Sequence, residues 1–261
     1  MSKNLTGKTI LITGGSSGIG KATAYEFAQT ASNLKLILTA RRLETLQAIA
    51  KDIESQFQGT KVHAVKLDVS NLKEVNGFVD ALPEEFRDID VLVNNAGFVH
   101  GMDKVGSIAE EDVTGMINTN VIGLIQMTQT IISKIMLPKD KGDIVNIGSI
   151  AGREPYAGGS IYCATKAAVR SFSDSLRREL ISTRLRVMNV DPGQVLTEFS
   201  VVRFKGDKEK ADKVYEGVEP LTPEDIAECI VFACGRRQNV VVADMLLFPS
   251  HQAGAGAMHR K

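Results

Sequence analysis

Seven short apolar runs alternate with longer stretches of helical period, and this rhythm constrains the fold more than any other feature of the sequence. The runs are Thr9–Thr13, Lys35–Thr39, Lys61–Leu67, Asp90–Asn94, Asp143–Ile147, Arg186–Val190 and Val240–Leu246. Between them, Ile19–Gln29, Leu43–Phe57, Glu110–Ile135 and Ile161–Ile181 repeat apolar residues at helical spacing. Strands that alternate with helices form a parallel sheet covered on both faces, because each crossover helix must lie against the sheet. Right-handed crossovers then predict an α/β fold, a Rossmann-type doubly wound parallel sheet of about seven strands. No repeat, low-complexity tract or linker interrupts residues 1–261, so a single domain is expected.

Two stretches break the rhythm. Residues 193–220 are charged and helical only in pieces such as Lys208–Tyr215, as in a substrate lid beside a strand end. The Gly/Ala-rich tail at 249–261 reads as disordered.

Lys+Arg and Asp+Glu balance at 31 each, so no overall field draws nucleic acid or a membrane surface. No stretch approaches the roughly 20 apolar residues of a membrane span, and the first residues lack the apolar core of a secretory leader. Cys163, Cys229 and Cys234 are too few and too irregularly spaced for disulfides or a metal site. Reduced thiols in a cytoplasmic setting fit them better, with Cys163 used in packing.

Any phosphate binding must therefore be local. After the first strand comes Thr13-Gly14-Gly15-Ser16-Ser17-Gly18-Ile19-Gly20, leading into a helix. Glycines let the backbone turn sharply and approach a pyrophosphate, and the helix start supplies N–H donors. The second strand ends at Arg41-Arg42 with no carboxylate. An acid there would bond a free ribose hydroxyl, whereas two guanidiniums suit the 2′-phosphate of NADP. Asp68-Val69 and Asn95-Ala96-Gly97 follow the third and fourth strands, where such sheets hold ligands. Asp68 reads either as an acceptor for an adenine amino group or as the N-cap of a helix near Asn71. Asn95 reads either as a ribose ligand or as a tie between strands.

Tyr162 and Lys166 stand four residues apart, on one face of a helix. A cation beside a phenol favours the phenolate, so Lys166 is expected to lower the Tyr162 pKa. Asn120 lies in an apolar helix, Ser149 closes the fifth strand, and Pro192-Gly193 follows the sixth with Val195 and Thr197 beyond.

In this order the motifs resemble those of the short-chain dehydrogenase/reductase family, from about Thr9 to about Leu246. The resemblance implies hydride transfer with NADP and a catalytic tetrad of Asn120, Ser149, Tyr162 and Lys166. It implies a cofactor site of Gly14, Ser16, Ser17, Gly18, Ile19, Arg41, Arg42, Asp68, Val69, Asn95, Ala96 and Gly97. Tyr162, Lys166, Pro192, Gly193, Val195 and Thr197 complete that site. Within the family the chain is similar to NADP-dependent 3-hydroxy acid dehydrogenases, which act on L-serine and L-allo-threonine. The matching segments are Gly148–Arg153, Pro155–Gly159, Glu198–Gly206 and His259-Arg260. A small 3-hydroxy acid, 3-hydroxybutyrate included, would meet Ser149 and Tyr162. Its carboxylate needs a cation, for which Arg203 is preferred over Arg153, Lys205 and Arg260. Asp191 departs from the small or amide residue usual before Pro192-Gly193 and is expected to disturb nicotinamide seating slightly. The family also pairs helices like Glu110–Ile135 and Ile161–Ile181 into dimers and tetramers, which implies a homotetramer here. The rival readings are a broad NADPH carbonyl or 3-oxoacyl reductase and, of another class, a non-catalytic NADP-binding redox sensor.

Overall fold

Thr-Ile-Leu-Ile-Thr forms β1 (Thr9–Thr13) with every residue buried, as a strand covered on both faces requires. The structure, a computed structural model, describes residues 2–261. The other strands are β2 (Lys35–Ala40), β3 (Lys61–Lys66), β4 (Val91–Asn94), β5 (Gly142–Ile147), β6 (Leu185–Pro192) and β7 (Asp244–Leu247). All pair in parallel, in the order β3-β2-β1-β4-β5-β6-β7. The winding reverses between β1 and β4, which opens a crevice beyond the carboxyl ends of those strands.

The helices are α1 (Gly18–Thr30), α2 (Leu43–Gln56), α3 (Leu72–Ala81), α4 (Glu110–Ile117), α5 (Leu124–Ile131), α6 (Ser160–Glu179), α7 (Phe199–Arg203), α8 (Lys208–Lys213) and α9 (Pro223–Cys234). Alternate strand residues feed two cores, because successive side chains point to opposite faces. Ile10, Ile12, Leu36 and Leu38 pack with Phe27, Ile53 and Ile230 beneath α1, α2 and α9. Leu11, Ile37, Leu92 and Ile144 pack with Phe78, Met127 and Leu176 beneath α3, α5 and α6. Each such side chain contributes about 1.5–3 kcal/mol of burial. At the foot of the sheet Arg186 donates to both Asp143 oxygens at 2.6 Å and to the Cys234 carbonyl at 2.9 Å. A cation there satisfies the last carbonyl of α9.

Four details differ from the sequence expectation. Glu110–Ile135 is not one regular helix: wider π turns at Asn118–Gly123 and Ile132–Met136 interrupt it. Such turns are frequent at functional sites, and the first carries Asn120. Asn71, not Asp68, caps α3, accepting from the Lys73 and Glu74 amides. The last strand starts at Asp244 rather than Val240, because the Val240 carbonyl is taken by Arg186 and its amide by Arg237. The tail is folded: Gln252 is buried, with its side chain accepting from the Gln194 amide and donating to the Gly254 carbonyl. Lys261 and Arg260 bond the backbone of Gly217, Glu216 and Val214, fastening the tail to the lid.

Candidate active site

A crevice of about 490 Å³ runs across the carboxyl ends of β1 and β4. Gly14, Ser16, Ser17, Gly18, Ile19, Arg41, Arg42, Asp68, Val69, Asn95, Ala96 and Gly97 line one part of it. Ser149, Tyr162, Lys166, Pro192, Gly193, Val195 and Thr197 line the rest. Of the predicted site residues only Asn120 and Arg203 stand off this wall.

The glycine turn is built for close approach. Gly14 has φ +67°, and a Cβ on it would stand 2.9 Å from the Ala96 Cα. Ser17 precedes α1 without closing its hydroxyl onto the helix, which leaves the first-turn amides available to an anion. Arg42 Nη2 donates to Ser16 Oγ at 3.3 Å and lies 3.5 Å from Glu198 of the lid. Asp68 takes the amide and hydroxyl of Ser70, at 2.9 and 2.7 Å. Asn95 is a strand tie, donating to the Thr13 and Gly14 carbonyls at 2.9 and 3.2 Å. With two guanidiniums at the end of β2 and no carboxylate among its last residues, the donor set fits a dinucleotide bearing a 2′-phosphate.

At the other end α6 projects Tyr162 and Lys166 inward, each 7% exposed. The Lys166 ammonium donates to the Ile147 carbonyl at 2.8 Å and stands 5.8 Å from the Tyr162 ring centre. Burial pushes the Tyr162 phenol above its ordinary value, and the hydrogen bond with Ser149 opposes it only in part. This corrects the expectation of a lysine-lowered phenol: desolvation outweighs the neighbouring charge, and the ammonium is turned onto a carbonyl. Burial likewise lowers Lys166 to about 8, with Asp191 acting against it.

That shift has a stability consequence. Between pH 8 and Lys166's ordinary value of 10.5, the unfolded chain holds a proton the folded one has lost. Stability therefore rises with pH through that window, and below it the buried ammonium costs roughly 3 kcal/mol at about 1.4 per unit. The bond to Ile147 returns only about 1 kcal/mol. Lys166→Met is thus expected to raise the Tm of the nucleotide-free protein at pH 7 and to leave it nearly unchanged at pH 11. Calorimetry at both values checks this, and a lower Tm at pH 7 contradicts it.

Asn120 donates to the Phe98 carbonyl and Thr165 Oγ1 and accepts from the Phe98 amide, at 2.8, 3.2 and 3.0 Å. It pins the loop after β4 against α6. Arg203 lies over three rings, its guanidinium 5.8 Å from the centre of Tyr162, 5.7 Å from Tyr156 and 5.9 Å from Phe199. Its Nη2 donates to Tyr156 Oη at 2.6 Å, while its buried Nε has no partner among the described residues.

The other cationic candidates are committed elsewhere. Arg153 pairs with Asp191 at 2.6 Å and with Asp244. Lys205 pairs with Asp112 at 2.7 Å, and Arg260 serves the tail. Asp191 points its carboxylate at Ser149 and Arg153, so the expected disturbance of the nicotinamide side is replaced by a contact behind the serine. Tyr156, Phe199 and Glu198 belong to the site but were not singled out. The signal for Tyr156 was a phenol six residues before Tyr162, in a loop rather than on the helix. Among the described residues no three of His, Cys, Asp and Glu converge as metal ligands do. No helix there is long and apolar enough to cross a membrane.

A family model for short chain dehydrogenases matches residues 8–208. The chain is 59% identical over 257 residues to an NADP-dependent 3-hydroxy acid dehydrogenase of Schizosaccharomyces pombe, covering 98% of each. It is 38% identical to a serine 3-dehydrogenase of Agrobacterium fabrum, covering 95% of this chain and 96% of that one. The closed form of a serine dehydrogenase complexed with NADP+ is similar with a TM-score of 0.88 at 40% identity, covering 97% of this chain and 99% of that one.

Proposed function

The chain belongs to the short-chain dehydrogenase family, and from that premise we propose that it is an NADP-dependent oxidoreductase of small 3-hydroxy acids and the matching carbonyls. Substrates the size of L-serine, L-allo-threonine or 3-hydroxybutyrate fit the reading. The observation that carries it is the convergence of Ser149, Tyr162 and Lys166 on one crevice wall, with the Arg203 guanidinium over the Tyr162 ring.

Bound nicotinamide supplies or accepts the hydride. Tyr162 Oη takes the substrate hydroxyl proton in oxidation and returns it in reduction, a role that contributes about 10²–10⁴ in rate. Ser149 Oγ holds the substrate oxygen and stabilises the charge that develops on it. Lys166, held by the Ile147 carbonyl at 2.8 Å, would hold the ribose side of the dinucleotide. Asn120 keeps one lone pair of Oδ1 for a water that links Lys166 to solvent. Arg41 and Arg42 hold the 2′-phosphate, and residues 193–220 act as the lid. The reading includes a cytoplasmic homotetramer, supported by three free thiols and by exposed Ile122 before α5 and Leu137 after it.

Initial rates over 3-hydroxy acids and neutral carbonyls, each with NADP and NAD, test this. Faster turnover of acids with NADP supports it, and turnover confined to neutral or acyl-carrier carbonyls overturns the substrate class. Binding of NADP with no turnover would favour a sensor.

The Arg203 role makes a sharper prediction. A charge-assisted hydrogen bond in a partly dry site contributes about 1.5–3 kcal/mol, or roughly 10- to 150-fold. Arg203→Ala is expected to raise KM for 3-hydroxybutyrate by that factor while leaving KM for a neutral ketone within about threefold. An unchanged KM for the acid excludes Arg203 as its receptor.

A further inference from the structure

Asp191 lies on β6 and is 1% exposed. Its Oδ1 accepts from the Ser149 amide at 3.0 Å and its Oδ2 from Arg153 Nε at 2.6 Å. Arg153 extends the pairing through Nη2 to Asp244, which also accepts from Asn189 Nδ2 at 3.3 Å. The approach leaves no room for a side chain, since a Cβ on Gly148 would stand 1.8 Å from Asp191 Oδ1. Two carboxylates and a guanidinium thus form a chain that ends on the backbone of the serine facing the crevice. An ion pair this buried adds little net stability, because desolvation offsets the attraction. Its contact with Ser149 is therefore the feature that needs a reason.

We propose that Asp191, anchored by Arg153, is a positioning residue that fixes the Ser149 backbone and so the hydroxyl that meets Tyr162. The proposal rests on the reading of Ser149 and Tyr162 as reacting groups. The Ser149 hydroxyl is oriented locally as well, accepting from the Ala151 amide at 3.1 Å. That bond closes a turn of only three residues, Ile150–Gly152, so its direction depends on where the Ser149 backbone is held. An anionic acceptor holds an amide about twice as strongly as a neutral one. The same charge opposes the loss of the Lys166 proton.

The test compares wild type, Asp191→Asn and the double variant Asp191→Asn/Arg153→Gln, by steady-state kinetics with 3-hydroxybutyrate and NADP and by Tm. Asp191→Asn is expected to lower kcat about 10- to 100-fold, with both KM values within about threefold. In Asp191→Asn the guanidinium loses its buried partner and keeps only the half-exposed Asp244; the double variant removes that half-desolvated charge, so Tm is expected to recover in part while kcat stays low. A kcat for Asp191→Asn within about twofold of an active wild type overturns the positioning role alone. Recovery of kcat together with Tm in the double variant overturns it too, since the contact would then be structural. A wild type that turns over no 3-hydroxy acid overturns the functional reading, and the positioning role falls with it.

Discussion

Replacing Tyr162 with phenylalanine is expected to lower kcat by about three to four orders of magnitude, the upper range for loss of a general acid–base group. The ring should stay in place: it packs edge-on to Phe199 at 5.5 Å between centres, and phenylalanine preserves that shape. Removing a buried hydroxyl also spares its desolvation, so folding should not suffer. KM for NADP is accordingly expected to change little, which separates chemistry from binding. The wild-type pH dependence follows from the same group. Burial holds the phenol protonated through the neutral range, so oxidation, which needs the phenolate, should quicken as pH rises. Reduction, which needs the phenol, should slow over the same range. Steady-state rates in both directions measure this, and Tyr162→Phe with a kcat within about tenfold of wild type would remove Tyr162 from the chemistry.

Much of this is legible in the sequence, for reasons that differ along the chain. β1, β2 and β4 are legible because strands buried on both faces must be continuous apolar runs, whereas β3 is a half-buried edge strand. The Val240–Val242 stretch has the same look but lies outside the sheet, since Arg186, distant in sequence, captures the Val240 carbonyl. α9 carried a local sign in Thr222-Pro223-Glu224-Asp225, a capping box with proline in the first turn. The π turn around Asn120 carried none, because packing against neighbouring elements sets it.

The site divides in the same way. Glycine turns and the Tyr162–Lys166 spacing are local and could be read. Charge partners could not: Arg153 meets Asp191 across 38 residues and Lys205 meets Asp112 across 93. Both cations looked free for a substrate carboxylate until the fold assigned them. The Tyr162 pKa was misjudged for a related reason, since spacing reveals a neighbouring charge but not the depth of burial that opposes it.

Replacing Arg41 and Arg42 together with alanine is expected to weaken NADP binding by roughly 100-fold and NAD binding hardly at all. Each guanidinium can give a phosphate a charge-assisted hydrogen bond of about 1.5–3 kcal/mol. Both side chains face solvent, so screening favours the lower figure, and two such bonds give about 3 kcal/mol. The effect should shrink as salt is raised, unlike a loss of shape in the glycine turn. Glu198 sharpens the test, because its carboxylate lies 3.5 Å from Arg42 and competes for it. Glu198→Gln should free that guanidinium and tighten NADP severalfold without altering NAD. Titration of each nucleotide at low and high salt reads all three effects. If the double alanine variant still prefers NADP as strongly as wild type, the end of β2 does not read the phosphate. Discrimination would then have to come from hydroxyl donors beside that point, of which Ser16 Oγ, 3.3 Å from Arg42 Nη2, is the nearest at hand.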